Sequence, residues 1–184
     1  MALEPVAADR LALAEWRDEV VGDRADLRPV DSESLHLTLV FLGYRAEKDI
    51  PRIWQLVAGA ARGHAVARLR PRRIRPVPPR SPRLFALDLE DEGGHAAALQ
   101  AAVSGRLEAE RLHRPERRGW WPHITLARVK RGTSAGALEA LSEPPDPLRA
   151  AVVTLYRSLL RPQGALYVPL ERLSLAEGSH DTTP

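Results

Sequence analysis

The sequence predicts an α+β protein built on antiparallel sheets. Two observations carry this. The apolar periodicity changes along the chain in the order α-β-α-β-β-α-β-α-β-β. The helices are separated by pairs of strands, which favours an antiparallel layout over a doubly wound parallel sheet. No linker-like stretch divides the 184 residues, so any lobes must share strands. Residues 1–176 read as one domain and 177–184 as a polar, disordered tail.

The elements follow in order. Residues 6–21 read as a helix: Pro5 suits its first turn, Leu13, Trp16 and Val20 form an apolar stripe, and Gly22 ends it. Residues 35–42 alternate as a strand stopped by Gly43, with Leu37, Leu39 and Phe41 directed into a core. A helix over 49–62 is capped by Asp49, with Pro51 in its first turn and Ile53, Trp54 and Val57 on one face. Residues 65–90 read as two strands around a Pro/Arg-rich turn, 70–82, whose prolines bar it from a central strand. A helix over 94–113 presents Leu99, Val103 and Leu107. A strand over 123–129 precedes a short helix after Thr133, and 151–159 with 166–175 form a hairpin.

Composition excludes several chemistries. There is no cysteine, which removes thiolate nucleophiles, disulfides and Cys-based zinc sites. Only Lys48 and Lys130 are lysines, so 25 of the 27 basic residues are arginine. No G-x-x-x-x-G-K-[ST] and no ligase-type lysine motif occurs, which disfavours ATP-driven chemistry. The apolar runs are strand-sized and no signal-peptide pattern opens the chain, so a cytoplasmic protein without a membrane segment is expected.

One short motif occurs twice, as His36-Leu-Thr-Leu39 and His123-Ile-Thr-Leu126. Side chains alternate across a strand, so each motif offers an imidazole and a hydroxyl to one face. Two such strands around one cavity suit phosphodiester hydrolysis without a metal. One imidazole takes a proton from water, the other protonates the leaving oxygen, and the threonines donate to the non-bridging oxygens. No H-x-H, H-E-x-x-H or carboxylate cluster flanks either motif, and no G-x-S-x-G supplies a nucleophile. His64, His95, His113 and His180 lack this context and read as solvated surface residues.

The paired motifs resemble those of the 2H phosphoesterase superfamily. Their flanks, Leu35-His-Leu-Thr-Leu-Val-Phe-Leu-Gly43 and Arg118-Gly-Trp-Trp-Pro-His-Ile-Thr-Leu-Ala-Arg128, are similar to those of bacterial RNA 2',3'-cyclic phosphodiesterases, long labelled 2'-5' RNA ligases. So is the closing hairpin with Leu155-Tyr-Arg-Ser158 and Gly164-Ala-Leu-Tyr167. The resemblance implies a bilobal fold with two pseudo-symmetric antiparallel sheets, helices outside and a central cleft. It implies hydrolysis of a terminal 2',3'-cyclic phosphate to a 2'-phosphate by a monomer needing no cofactor. In that pattern His36 donates the proton, His123 accepts one, and Thr38 and Thr125 hold the phosphate. The motifs themselves, being near copies, do not order the two histidines. The family's opening strand is represented only by Met1-Ala-Leu-Glu4, which reads as a start placed late. The strand after Pro82-Arg83 carries Phe85 and Ala86 where the family often has Trp.

The substrates implied are RNA ends or small cyclic nucleotides. Alternatives are the reverse reaction, 2'-5' RNA ligation, and an RNA-binding module without turnover. Trp120 is a candidate for stacking on a base, and Trp120 or Trp121 for anchoring the loop. Arg128 is a candidate substrate contact, although strict alternation puts it on the face opposite His123 unless the strand bulges. The Arg70–Arg83 segment reads either as a phosphate track or as a solvated turn. Tyr156 and Tyr167 read as sheet-packing residues.

Overall fold

In the computed structural model, which describes residues 1–115, 117–140, 142–161 and 164–177, three helices pack on eight strands. All the strand ladders are antiparallel. The strands are β1 (Ala2–Pro5), β2 (Leu27–Pro29), β3 (Leu37–Thr38), β4 (Ala67–Val77), β5 (Leu84–Glu92), β6 (His123–Val129), β7 (Leu148–Arg161) and β8 (Gly164–Ser174). The helices are α1 (Ala7–Val21), α2 (Ile50–Ala61) and α3 (His95–Ala109). No described helix is long and apolar enough to cross a membrane. The expected tail lies, from residue 178 on, outside the described residues.

The strands run in the order β1-β3-β6-β5-β4-β7-β8, with β2 beside β6. β1 also pairs with β7, so the path closes on itself. The two sheets expected for the lobes are therefore continuous in hydrogen bonding. The four residues of β1 are buried and pair with β7, and Ala2 and Leu3 pair with β3 as well, where the sequence suggested only a strand remnant. Pro5 ends that strand instead of opening the helix, which starts at Ala7.

The helices bury the stripes read from the sequence. Leu13, Trp16 and Val20 of α1, Ile53 and Val57 of α2, and Leu99, Val103 and Leu107 of α3 enter the core. Gly22 closes α1 at a φ of 49°, a left-handed value that costs other residues, and its N–H donates to Asp18 O at 2.8 Å. Asp49 does not cap α2: it is already helical, with no side-chain bond to the helix end.

Three expectations fail for physical reasons. The strand expected over 35–42 keeps only Leu37–Thr38 in a ladder. Beyond Thr38 the neighbouring strand runs out, and the N–H groups of Leu39 and Val40 both turn to Met1 O. The period-2 pattern then lapses: Leu39 and Val40 are both buried, while Phe41 is 70% exposed instead of entering the core. The Arg/Pro segment turns only over 78–81, and its first part is strand. β4 runs through Pro71 and Pro76, with a bulge between Pro71 and Ile74. Only Ala67–Leu69 pairs with β7, so the prolines lie where β4 has one neighbour, and their missing N–H groups interrupt nothing on the open side. No helix follows Thr133 in the described residues of 133–147, a stretch containing Gly136 and the prolines 144, 145 and 147.

Candidate active site

Leu37 of β3 faces Ile124 of β6 in an antiparallel ladder. Both are fully buried and fix the register. Continuing it, His36 falls beside Thr125 and Thr38 beside His123. Each histidine thus neighbours the threonine of the other motif, and all four side chains line one cleft of about 1020 Å³. Pairing between two strands 87 residues apart in sequence cannot be read from either motif alone.

The two imidazoles occupy different surroundings. His123 Nδ1 lies 2.8 Å from Trp121 O. A carbonyl only accepts, so Nδ1 carries the hydrogen, and in the neutral ring Nε2 keeps its lone pair. The Trp121 indole stacks on His123 with centroids 3.9 Å apart and planes 16° apart. Trp121 Nε1 donates to Asp88 Oδ1 at 2.9 Å. The other carboxylate oxygen of Asp88 accepts from Arg73 at 3.1 Å and from Arg75 at 2.7 and 3.0 Å. Arg75 also sits 4.9 Å from the Trp121 ring centroid. The chain Arg75–Asp88–Trp121 therefore fixes the plate on which His123 rests.

His36 is held by aromatic rings. Tyr156 stacks on it at 5.4 Å, and Tyr167 meets it edge-on at 5.1 Å. Tyr156 Oη donates to Glu4 Oε1 at 2.6 Å, and Glu4 is only 3% exposed. Burial and this bond to Glu4 both push the Tyr156 hydroxyl up, so it stays protonated as the donor. The Nδ1 of His36 is buried without a well-formed hydrogen bond, although the nearby Ser34 backbone favours the protonated ring. Burial prevails and pulls the imidazole down to about 4, which leaves it neutral near pH 7. Tyr156 and Tyr167 do more than pack the sheet, then. No sequence signal placed them there, because β1 lies between β3 and the hairpin strand β7.

The candidates for proton transfer, phosphate binding and base stacking all border the cleft: His36, Thr38, Trp120, His123, Thr125 and Arg128. Arg128 gets there through a bulge. Phe85 pairs with Ala127 but Ala86 with Thr125, so Leu126 is an extra residue on β6. Leu126 and Ala127 are consecutively buried, and Arg128 returns to the face of His123 and Thr125. Trp120 packs partly on the core and donates Nε1–H to Thr38 O at 3.0 Å, which ties the second motif's loop to the first motif.

Other placements differ from the sequence reading. His113 lines the cleft instead of lying on open surface, as do Arg28 and Phe41, which no sequence pattern assigned to the site, and Arg118, which the sequence singles out in the stretch before the second motif. The arginines of β4 do not form a phosphate track. Arg70 pairs with Glu92 and Asp146, Arg72 with Glu90, and Arg73 and Arg75 with Asp88.

Residues 4–159 match the family model of the 2'-5' RNA ligase superfamily. A Thermus thermophilus protein named RNA 2',3'-cyclic phosphodiesterase is 36% identical over 180 residues, covering 93% of this chain and 86% of the relative. A protein of the same name from Methanothermobacter thermautotrophicus is 30% identical over 162 residues, covering 84% of this chain and 86% of its own. Among solved structures, one from Thermus thermophilus superposes with a TM-score of 0.70 at 33% identity, covering 97% of each chain. E. coli LigT complexed with phosphate superposes with a TM-score of 0.64 at 25% identity, covering 96% of this chain and 95% of that one.

Proposed function

The chain belongs to the 2'-5' RNA ligase superfamily, and from that membership we propose that it hydrolyses 2',3'-cyclic phosphate ends of RNA to 2'-phosphates without a metal. The observation that carries this assignment is the Leu37–Ile124 register, which interleaves the two His/Thr pairs across one cleft.

The chemistry follows from the geometry. Thr38 and Thr125, on adjacent strands, donate to the non-bridging oxygens of the cyclic phosphate, where charge grows as water adds. His123, with hydrogen on Nδ1, uses Nε2 to take the water's proton. His36 protonates O3' as the P–O3' bond breaks, and the phosphate stays on O2'. In the free protein His36 is neutral near pH 7, so its proton arrives with the bound phosphate, whose negative charge opposes the effect of burial. Arg128 adds positive charge on the same face, and Trp120 offers an aromatic edge at the cleft for the terminal base.

The test is incubation with adenosine 2',3'-cyclic phosphate and identification of the product isomer. The 2'-phosphate is expected. Exclusive 3'-phosphate would reverse the leaving group, and unchanged substrate would leave an RNA-binding module without turnover.

A further inference from the structure

Glu4 of β1 is a buried carboxylate for which the reaction above has no use. A buried charge costs desolvation unless it is paired, so its partners show what it holds. Ala2 and Leu3 of β1 face Thr38 and Leu37 of β3, and the same register carries Glu4 beside His36. Cross-strand neighbours share a face. The hydrogen bond that Glu4 Oε1 accepts, at 2.6 Å, comes from Tyr156, the ring stacked on His36. Arg10 Nη1, 3.4 Å from Oε2, and Arg172 Nε, 3.7 Å from Oε1, balance the charge of the carboxylate.

The same arrangement occurs at the other histidine. Asp88 is also buried and faces His123 in the β5–β6 ladder. It accepts a hydrogen bond from Trp121, the ring stacked on that imidazole, and pairs with Arg73 and Arg75. Each histidine thus has a buried carboxylate beside it, an aromatic plate tied to that carboxylate, and two arginines behind the tie. The two sites differ in one respect. His123 is also oriented by its Nδ1 contact with Trp121 O, whereas His36 Nδ1 is buried without a well-formed hydrogen bond. The orientation of His36 therefore depends on the rings packed against it.

We propose that Glu4 is a positioning residue for the acid: through the Tyr156 hydroxyl it holds the ring that aims His36 at the leaving oxygen. This rests on the phosphodiesterase assignment above. A hydrogen bond to a carboxylate is short and directional, so it fixes the tilt of the Tyr156 ring as well as its distance. A small misplacement of a reacting group lowers the rate of the chemical step more than it weakens binding.

The test is steady-state hydrolysis of adenosine 2',3'-cyclic phosphate by four variants. Tyr156→Phe keeps the ring and leaves Glu4 with its arginines; it is expected to lower kcat about tenfold and to change KM by less than about twofold. Glu4→Ala gives a similar loss, and the double variant no greater one, because both substitutions cut the same tie. Glu4→Gln removes the ion pairs but keeps an acceptor oxygen for the hydroxyl, and recovers most of the rate. A residue that only stabilised the fold through its ion pairs would show no such recovery. If Glu4→Ala folds poorly, Tyr156→Phe and Glu4→Gln decide. Wild-type kcat in Tyr156→Phe, losses that multiply in the double variant, or Glu4→Gln as slow as Tyr156→Phe overturns the proposal. Failure of the wild-type protein to turn over this substrate would instead overturn the enzymatic assignment. The His36 ring-proton resonances, shielded by the stacked Tyr156 ring, are read independently of turnover: they are expected to shift in Tyr156→Phe and to stay in place in Glu4→Gln, and unchanged resonances in Tyr156→Phe overturn the positioning role.

Discussion

The indole of Trp121 lies almost parallel on the imidazole of His123, 3.9 Å between centroids, while its own N–H is anchored on Asp88. The base of the proposed reaction is thereby held by a residue two positions away in sequence, and that residue by a carboxylate on the neighbouring strand. Trp121→Ala is expected to lower kcat about tenfold with a smaller change in KM, as a stacked aromatic pair is worth about 1 kcal/mol. Trp121→Phe keeps the stack and recovers most of the rate. A loss confined to KM in steady-state kinetics would show that the indole binds substrate and does not position His123.

Removing either imidazole tests the core of the mechanism. His36→Ala and His123→Ala are each expected to lower kcat by roughly 10²- to 10⁴-fold, the range for general acid–base groups. The double variant should be little worse than either single one, because the two groups act in one proton-transfer cycle. Circular dichroism should show the fold intact. Turnover within tenfold of wild type in either single variant would remove that histidine from the chemistry.

Chelation is the simplest check on a metal-free reaction. Full activity is expected after dialysis against EDTA. Loss of activity that zinc, magnesium or manganese restores would require a metal-assisted route.

Burial of His36 makes stability depend on pH. Its folded value is about 4 against an ordinary 6.5, so between these values the unfolded chain binds more protons than the folded one. Stability therefore rises with pH through this window and is lost as pH falls from about 6.5 to about 4. At about 1.4 kcal/mol per pKa unit, the loss is on the order of 3 kcal/mol. Urea denaturation at pH 7, 5.5 and 4.5 should show a shallower pH dependence for His36→Asn than for wild type. Parallel curves would show that His36 is not protonated against a burial penalty.

The same burial shapes the rate profile. The limb set by the acid should lie at higher pH in kcat than in kcat/KM, by about a unit or more, because bound phosphate raises His36 toward its ordinary value. Coincident limbs would mean that substrate charge does not bring the proton.

Much of the site is legible in the sequence because its chemistry is carried by residue types at period-2 spacing. His36-x-Thr38 and His123-x-Thr125 need only a strand to put each pair on one face. The features that escape a sequence reading depend on neighbours remote in the chain. Alternation carried past Thr38 puts Phe41 in the core, but the ladder stops there and the chain turns. The β4 prolines read as a turn, but their strand has a second neighbour only at Ala67–Leu69, a fact of sheet order. Alternation alone cannot choose the face of Arg128, because one extra residue, Leu126, decides it.

The sequence by itself determined the α+β class, the helices with their buried stripes, the two His/Thr pairs and the absence of thiol and P-loop chemistry. Only the tertiary structure decided which threonine each histidine meets, that His36 is neutral and that His123 is propped on Trp121. The reason is physical. Composition and periodicity act within a segment, while register, burial and charge pairing belong to contacts between segments, which exist only once the sheet has closed.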